Sequence, residues 1–109
     1  MSEAEQVFQR RFEKIAGQAW WLENRRLRLD LRRMSSTWGT CRRTGVIRIN
    51  THLIKAPPVC LDYVIAHELC HVRHMHHGAT FYALLGEFFP RWERVVQHLA
   101  DHGHRYTQE

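Results

Sequence analysis

The 109-residue chain contains no apolar run of eighteen residues, no internal repeat and no low-complexity tract. The first absence excludes a membrane-spanning helix. The others leave no linker at which to divide the chain, so residues 1–109 are expected to form one domain with a modest core. Cysteine is scarce: Cys41, Cys60 and Cys70 are odd in number and spread without close pairs. That argues against a disulfide framework and for reduced thiols, each a small buried hydrophobe. The first residues, Met1-Ser2-Glu3-Ala4-Glu5-Gln6, lack the basic start and apolar stretch of a secretory signal. A cytoplasmic location is therefore expected. Acidic residues are outnumbered 11 to 16 by Lys and Arg, for a formal charge of +5. The surplus gathers at Arg25-Arg26, Arg28, Arg32-Arg33 and Arg42-Arg43. Such a run is usually a solvated face, and it also suits an acidic substrate or weak nucleic-acid association. No nucleic-acid-binding motif accompanies it, so nucleic acid is expected only as a secondary partner.

What the chain has in abundance is histidine, nine in all. Two stand four residues apart in His67-Glu68-Leu69-Cys70-His71, with a glutamate beside the first. On a helix, positions i and i+4 share one face, so both imidazoles can grip one zinc ion. The glutamate then lies one step around the cylinder, within reach of a zinc-bound water. This is the working end of a zinc metalloprotease. The motif needs a helix, and its surroundings supply one. Val64-Ile65-Ala66, Leu69-Cys70 and Val72 are apolar, and no Gly or Pro interrupts them. Pro57-Pro58 suits the first turn, where a missing N–H costs nothing. The expected helix runs from about Pro58 to His74. Cys70 points about 100° away from His71 and reads as core.

The remaining elements follow from periodicity. Ser2 to Ala19 reads as an amphipathic helix with a Ser2/Glu5 capping box and a stripe of Phe8, Phe12, Ile15 and Ala19. Leu27 to Arg32 alternates apolar and charged residues as a half-buried strand does. Ser36 to Cys41 and Val46 to Asn50, separated by the turn Arg43-Thr44-Gly45, predict an antiparallel hairpin. Thr51 to Ala56 links the sheet to the motif helix with a short helical turn. Met75-His76-His77-Gly78 ends that helix, Gly78 supplying a sharp turn. Ala79 to Phe88 is helical again, with Phe81, Leu84, Leu85 and Phe88 on one side. Pro90 restarts a helix with a stripe of Trp92, Val95, Val96 and Leu99. From about His102 onward the tail lacks apolar anchors and is expected to fray. Trp38 and Gly39 read as packing and a turn. The architecture is α+β, a small, mostly antiparallel sheet packed against a few helices.

A catalytic zinc takes three protein ligands and leaves one position for water. His67 and His71 supply two, and His74, His76 and His77 are the candidates for the third. His74 shares a stripe with His67 but lies roughly 10 Å along the axis. His77 follows the helix break and precedes Gly78, where the chain can fold back. Tyr63, Tyr82 and Arg48 are candidates to stabilise an oxyanion. Strand Val46–Asn50, if at the sheet edge, would hold an extended substrate by backbone hydrogen bonds.

Three stretches resemble a known family: Arg33-Met34-Ser35-Ser36-Thr37-Trp38-Gly39-Thr40-Cys41, then Ile49-Asn50, then Tyr63 through His71 continuing to His77 and Phe81-Tyr82. In this order and spacing they are similar to the YgjP-like metallopeptidases, zincins related to the SprT-like zinc proteases. The resemblance implies zinc bound by His67, His71 and His77, Glu68 as catalytic acid/base, and peptide or protein substrates. It also implies a minimal zincin-like fold in which an edge strand runs beside the metal. Two positions depart from the family pattern: His76, where Asn is common, and Tyr82, where Trp is common. Two other readings compete with peptidase activity. In one the zinc is structural, closed by His74 or His76. In the other the basic face makes the chain a DNA-associated protease or binding module.

Overall fold

Ser2 starts the first helix. Its hydroxyl accepts the Glu5 backbone N–H at 3.1 Å, and the Glu5 carboxylate takes the Ser2 N–H at 3.3 Å. This reciprocal cap satisfies two donors that a helix start otherwise leaves orphaned. The computed structural model describes residues 1–108. In it α1 covers Glu3–Gln18, followed by a 3-10 turn at Trp20–Leu22 and strands β1 (Arg28–Arg32), β2 (Gly39–Cys41) and β3 (Val46–Asn50). A second 3-10 turn, Thr51–Lys55, leads into α2 (Pro58–Arg73), then α3 (Ala79–Phe88) and α4 (Trp92–Tyr106). The expected stripe of α1 is buried at Phe8, Phe12, Ile15 and Ala19. Each large apolar side chain so buried contributes roughly 1.5–3 kcal/mol.

The sheet has three strands in the order β1-β3-β2. β2 and β3 form the antiparallel hairpin, in register Gly39↔Ile49, Thr40↔Arg48 and Cys41↔Ile47. Gly45 sits in its turn at φ +96, a left-handed conformation that glycine adopts without steric cost. β1 pairs with β3 in parallel, from Arg28↔Val46 to Arg32↔Asn50. The sheet is therefore mixed, where a mostly antiparallel one was expected. The reason lies in the composition of β3. Its Ile47 and Ile49 are fully buried, so the most β-branched strand takes the centre and is paired on both sides. The condition set for Val46–Asn50 as a substrate-holding edge strand is therefore not met. The edges are β1 and β2.

The inner face of the sheet carries Ile47 and Ile49 against α2, while Arg48 projects from the outer face to Asp30 at 2.8 Å. α2 is buried on nearly every side and is the axle of the fold. Arg11 of α1 grips it through a two-pronged pair with Asp62, at 2.8 and 2.7 Å. The Trp21 indole N–H donates to the Leu69 carbonyl at 2.8 Å.

Other sequence readings change in detail. Gly39 is not a turn residue but the first residue of β2. A Cβ there would lie 2.9 Å from Val64 Cγ1 and 3.1 Å from both the Arg48 carbonyl and Glu68 Cγ. Only glycine lets β2 approach α2 this closely. α4 does not fray at His102 but continues to Tyr106, because Gly103 is buried beneath the Trp38 ring. Cys60 and Cys70 are buried as expected, whereas Cys41 is only half-buried.

Candidate metal centre

α2 stays helical through Arg73, so His67 and His71 project from successive turns on one face. The helix ends at His74, whose N–H bonds the Cys70 carbonyl at 2.9 Å. The chain then doubles back through Met75 and His76. This returns the His77 ring to the face it has just left. His77 Nε2 lies 2.8 Å from His71 Nε2 and 3.1 Å from His67 Nε2. The three nitrogens fall within 4.8 Å of one another. They are the only such grouping of His, Cys, Asp or Glu among the described residues.

His74 and His76 stay outside the cluster. His74 contributes its carbonyl, which accepts from His71 Nδ1 at 3.0 Å, and the His76 side chain is exposed. Gly78 has φ −99, and nothing stands within 4 Å of where a Cβ would be. The turn does not depend on glycine's conformational freedom, contrary to the sequence reading.

The outer nitrogens of two rings are engaged. A carbonyl only accepts, so His71 Nδ1 carries the proton and its Nε2 presents a lone pair. His67 Nδ1 lies 3.1 Å from the Tyr63 hydroxyl. Phe81, fully buried, lies against all three imidazoles, with ring centroids 4.5, 4.9 and 5.0 Å from His71, His77 and His67. Beyond the family-like stretches, the sequence reading gave Tyr63 a role only as an oxyanion candidate and Phe81 one only in a helical stripe. The four-residue spacing of Tyr63 from His67 was the available signal for the former.

Electrostatics favour uncharged rings. Burial, then the neighbouring His71 and His77, pushes the His67 pKa down to about 4, and burial first of all lowers that of His71. Neutral imidazole is the form that binds a metal. Glu68 is 5% exposed, and burial pushes its carboxyl up to about 8. A cavity of about 250 Å³ opens beside these groups, lined by Thr37, Trp38, Gly39, Tyr63, Val64, His67 and Glu68. Of the oxyanion candidates, Arg48 faces away on the outer side of the sheet, and Tyr82 stacks on Trp92 at 5.2 Å beyond His77. Tyr63 alone lines the cavity.

Asn50 supports the site from a distance. It is 1% exposed, and its amide donates to the carbonyls of Met34 and Thr37 at 3.1 and 2.9 Å. It thereby ties down the loop that delivers Trp38 and Gly39 to the cavity. An asparagine that ends a strand was visible in the sequence, but neither its burial nor its partners were.

The model of the YgjP-like metallopeptidase domain matches residues 1–102. No curated protein matches the chain. Among solved structures, the fold is similar to that of a metallopeptidase zymogen, Pyrococcus abyssi abylysin. The identity is 16%, the TM-score 0.66, and the match covers 90% of this chain and 93% of that one. The zymogen of Methanocaldococcus jannaschii jannalysin is alike at 16% identity and TM-score 0.66, covering 93% and 97%. At this identity the two structures speak for the fold, and the family match speaks for the class of chemistry.

Proposed function

The chain belongs to the YgjP-like metallopeptidase family, and we propose that it hydrolyses peptide bonds at one zinc ion held by His67, His71 and His77, with Glu68 transferring the proton. The observation that carries this reading is the convergence of three imidazole Nε2 atoms beside a buried carboxyl group. The donor set fits a divalent ion of zinc's kind: three neutral nitrogens, and no fourth protein ligand among the described residues. A structural site would normally close that fourth position, so the open vertex favours catalysis. When bound, such an ion supplies a Lewis acid that polarises a carbonyl and acidifies water.

The chain's own groups do the rest. Glu68, held dry at the cavity wall, would be drawn to its carboxylate form by the ion's positive charge, accept a proton from the attacking water and return it to the leaving amine. With His67 Nε2 turned to the ion, its Nδ1–H donates to the Tyr63 hydroxyl, whose own hydrogen is left free to point into the cavity. Phe81 excludes water behind the rings. β2 offers the substrate a seat. In its antiparallel register, Thr40 pairs with Arg48, flanked by the bonds Asn50 N–H to Trp38 O and Arg42 N–H to Val46 O. The backbone groups of Gly39 and Cys41 therefore face the open edge, ready to bond an extended peptide.

The deciding experiment loads the protein with zinc and compares it with Glu68→Gln on an unfolded protein substrate. The variant should hold one equivalent of zinc and lose cleavage. Wild-type cleavage by a zinc-loaded variant would refute the role given to Glu68.

A further inference from the structure

We propose that the arginine cluster at the far end of β2 selects substrates with acidic residues on the N-terminal side of the cleaved bond. The inference rests on the peptidase reading above and adds a substrate class to it. Two arginine-rich segments, separate in sequence, are joined at one end of the sheet. Arg25 and Arg26 come from the approach to β1, Arg28 from its first position, and Arg42 and Arg43 from the hairpin turn. The Arg28 N–H bonds the Gly45 carbonyl at 2.9 Å, and the Arg25 guanidinium donates to the Arg43 carbonyl.

All five side chains are exposed. Among the described residues, Arg11, Arg32 and Arg48 have carboxylate partners at 4.0 Å or closer, and none of these five does. Like charges gathered without counter-charge repel one another, and an acidic ligand relieves that repulsion.

The cluster's place relative to the catalytic groups gives it a direction. β2 begins at Gly39, whose Cα lies against Val64 and Glu68, and runs directly into Arg42 and Arg43. At about 3.4 Å per residue, the arginines lie roughly 10 Å along the open edge from the point nearest Glu68. An antiparallel peptide on that edge enters past Arg43 and Arg42 and leaves toward Trp38 and the cavity. Residues about two to four places before the cleaved bond therefore pass the Arg42 and Arg43 guanidinium groups, while Arg26 and Arg28 add positive charge from across β3. Continuity with the peptide edge favours an acidic polypeptide over nucleic acid as the ligand of this patch.

The test uses the zinc-loaded protein and quenched fluorogenic peptides carrying Asp or Asn at the second to fourth positions before the cleaved bond. The acid-to-amide ratio of kcat/KM should be roughly fivefold at low ionic strength and fall toward one at high salt. It should also fall toward one in Arg42→Gln/Arg43→Gln and fall by less in Arg26→Gln/Arg28→Gln, whose charges lie across β3 from the peptide edge. A ratio of one in the unaltered protein overturns the inference, as does a preference confined to the C-terminal side or one that survives in both variants. Duplex DNA binding lost with the same substitutions, without an acidic preference, reassigns the patch to nucleic acid. Cleavage of all peptides at equal rates sinks the arginine inference alone, whereas cleavage of none sinks the peptidase reading and this inference with it.

Discussion

Glu68 shows how one residue can be costly to the fold while standing where the proposed chemistry needs it. Its carboxyl titrates near 8 because it is buried, against 4.5 for the free group. The folded metal-free protein therefore keeps a proton that the unfolded chain releases as pH rises from 4.5 to 8. Stability contributed at this site falls across that window. Glu68→Gln removes the penalty. We expect the metal-free variant to be more stable than wild type by on the order of 2–4 kcal/mol at neutral pH. Melts at pH 5, 6.5 and 8 should show a gap that widens with pH. Activity should move the other way, with kcat falling about 10²–10⁴-fold. His67 has the opposite sign: its pKa is depressed to about 4, so stability it contributes is lost as pH falls from 6.5 toward 4. Tyr63→Phe deletes the oxygen beside His67 Nδ1. Zinc affinity, measured by competition with a chromophoric chelator, should drop by about tenfold. A residue that merely packs would leave that affinity unchanged.

At the scale of elements, the decisive contact is β2 against α2. Gly39 permits it, since a side chain there meets Val64, Glu68 and the Arg48 carbonyl at once. Gly39→Ala must push β2 outward, which we expect to destabilise the fold by about 1–3 kcal/mol. The same displacement moves the open edge away from Glu68, so kcat/KM should fall even in samples that remain fully folded and zinc-loaded. Undiminished kcat/KM would show that β2 does not seat the substrate. These elements differed in how legible they were. The capping box and stripe of α1, the apolar run around His67 and the alternation in β1 are local patterns, and each became the element expected. The parallel pairing of β1 with β3 was not legible. It arises because β3 lies between the two strands that precede it in the chain, a choice that depends on which strand has most apolar surface to bury. The fate of the tail was equally hidden, because Gly103 acquires its meaning only when Trp38, sixty-five residues earlier in the chain, packs on it.

For the whole molecule, the three histidines join the body of α2 to the turn that leads into α3. A bound ion therefore ties together segments that the polypeptide connects only through residues 74–78. Ligands that bind only the folded state stabilise it by RT ln(1 + [L]/Kd), about 2.7 kcal/mol at a hundredfold excess over Kd. Stripping zinc with a chelator should lower the melting temperature by an amount that shrinks as residual zinc rises. Hydrogen exchange should quicken first around residues 74–82, while α1 and the sheet keep their protection. Equal melting curves with and without chelator would exclude the three-histidine site.

The sequence alone determined the chemistry on offer. A helix with two imidazoles one turn apart and a carboxylate beside the first is written in spacing and local apolar pattern, because helical periodicity converts sequence distance directly into geometry. It also narrowed the third ligand to a short histidine-rich stretch. The tertiary structure decided what spacing cannot encode. It turned His77 back onto α2 while His74 and His76 stayed away, and it made β2 and not β3 the open edge. It buried Glu68 beside a cavity and brought the arginines of two separate segments to one end of the sheet. Each of these depends on contacts between residues distant in the chain, where packing and the competition for buried surface set the outcome.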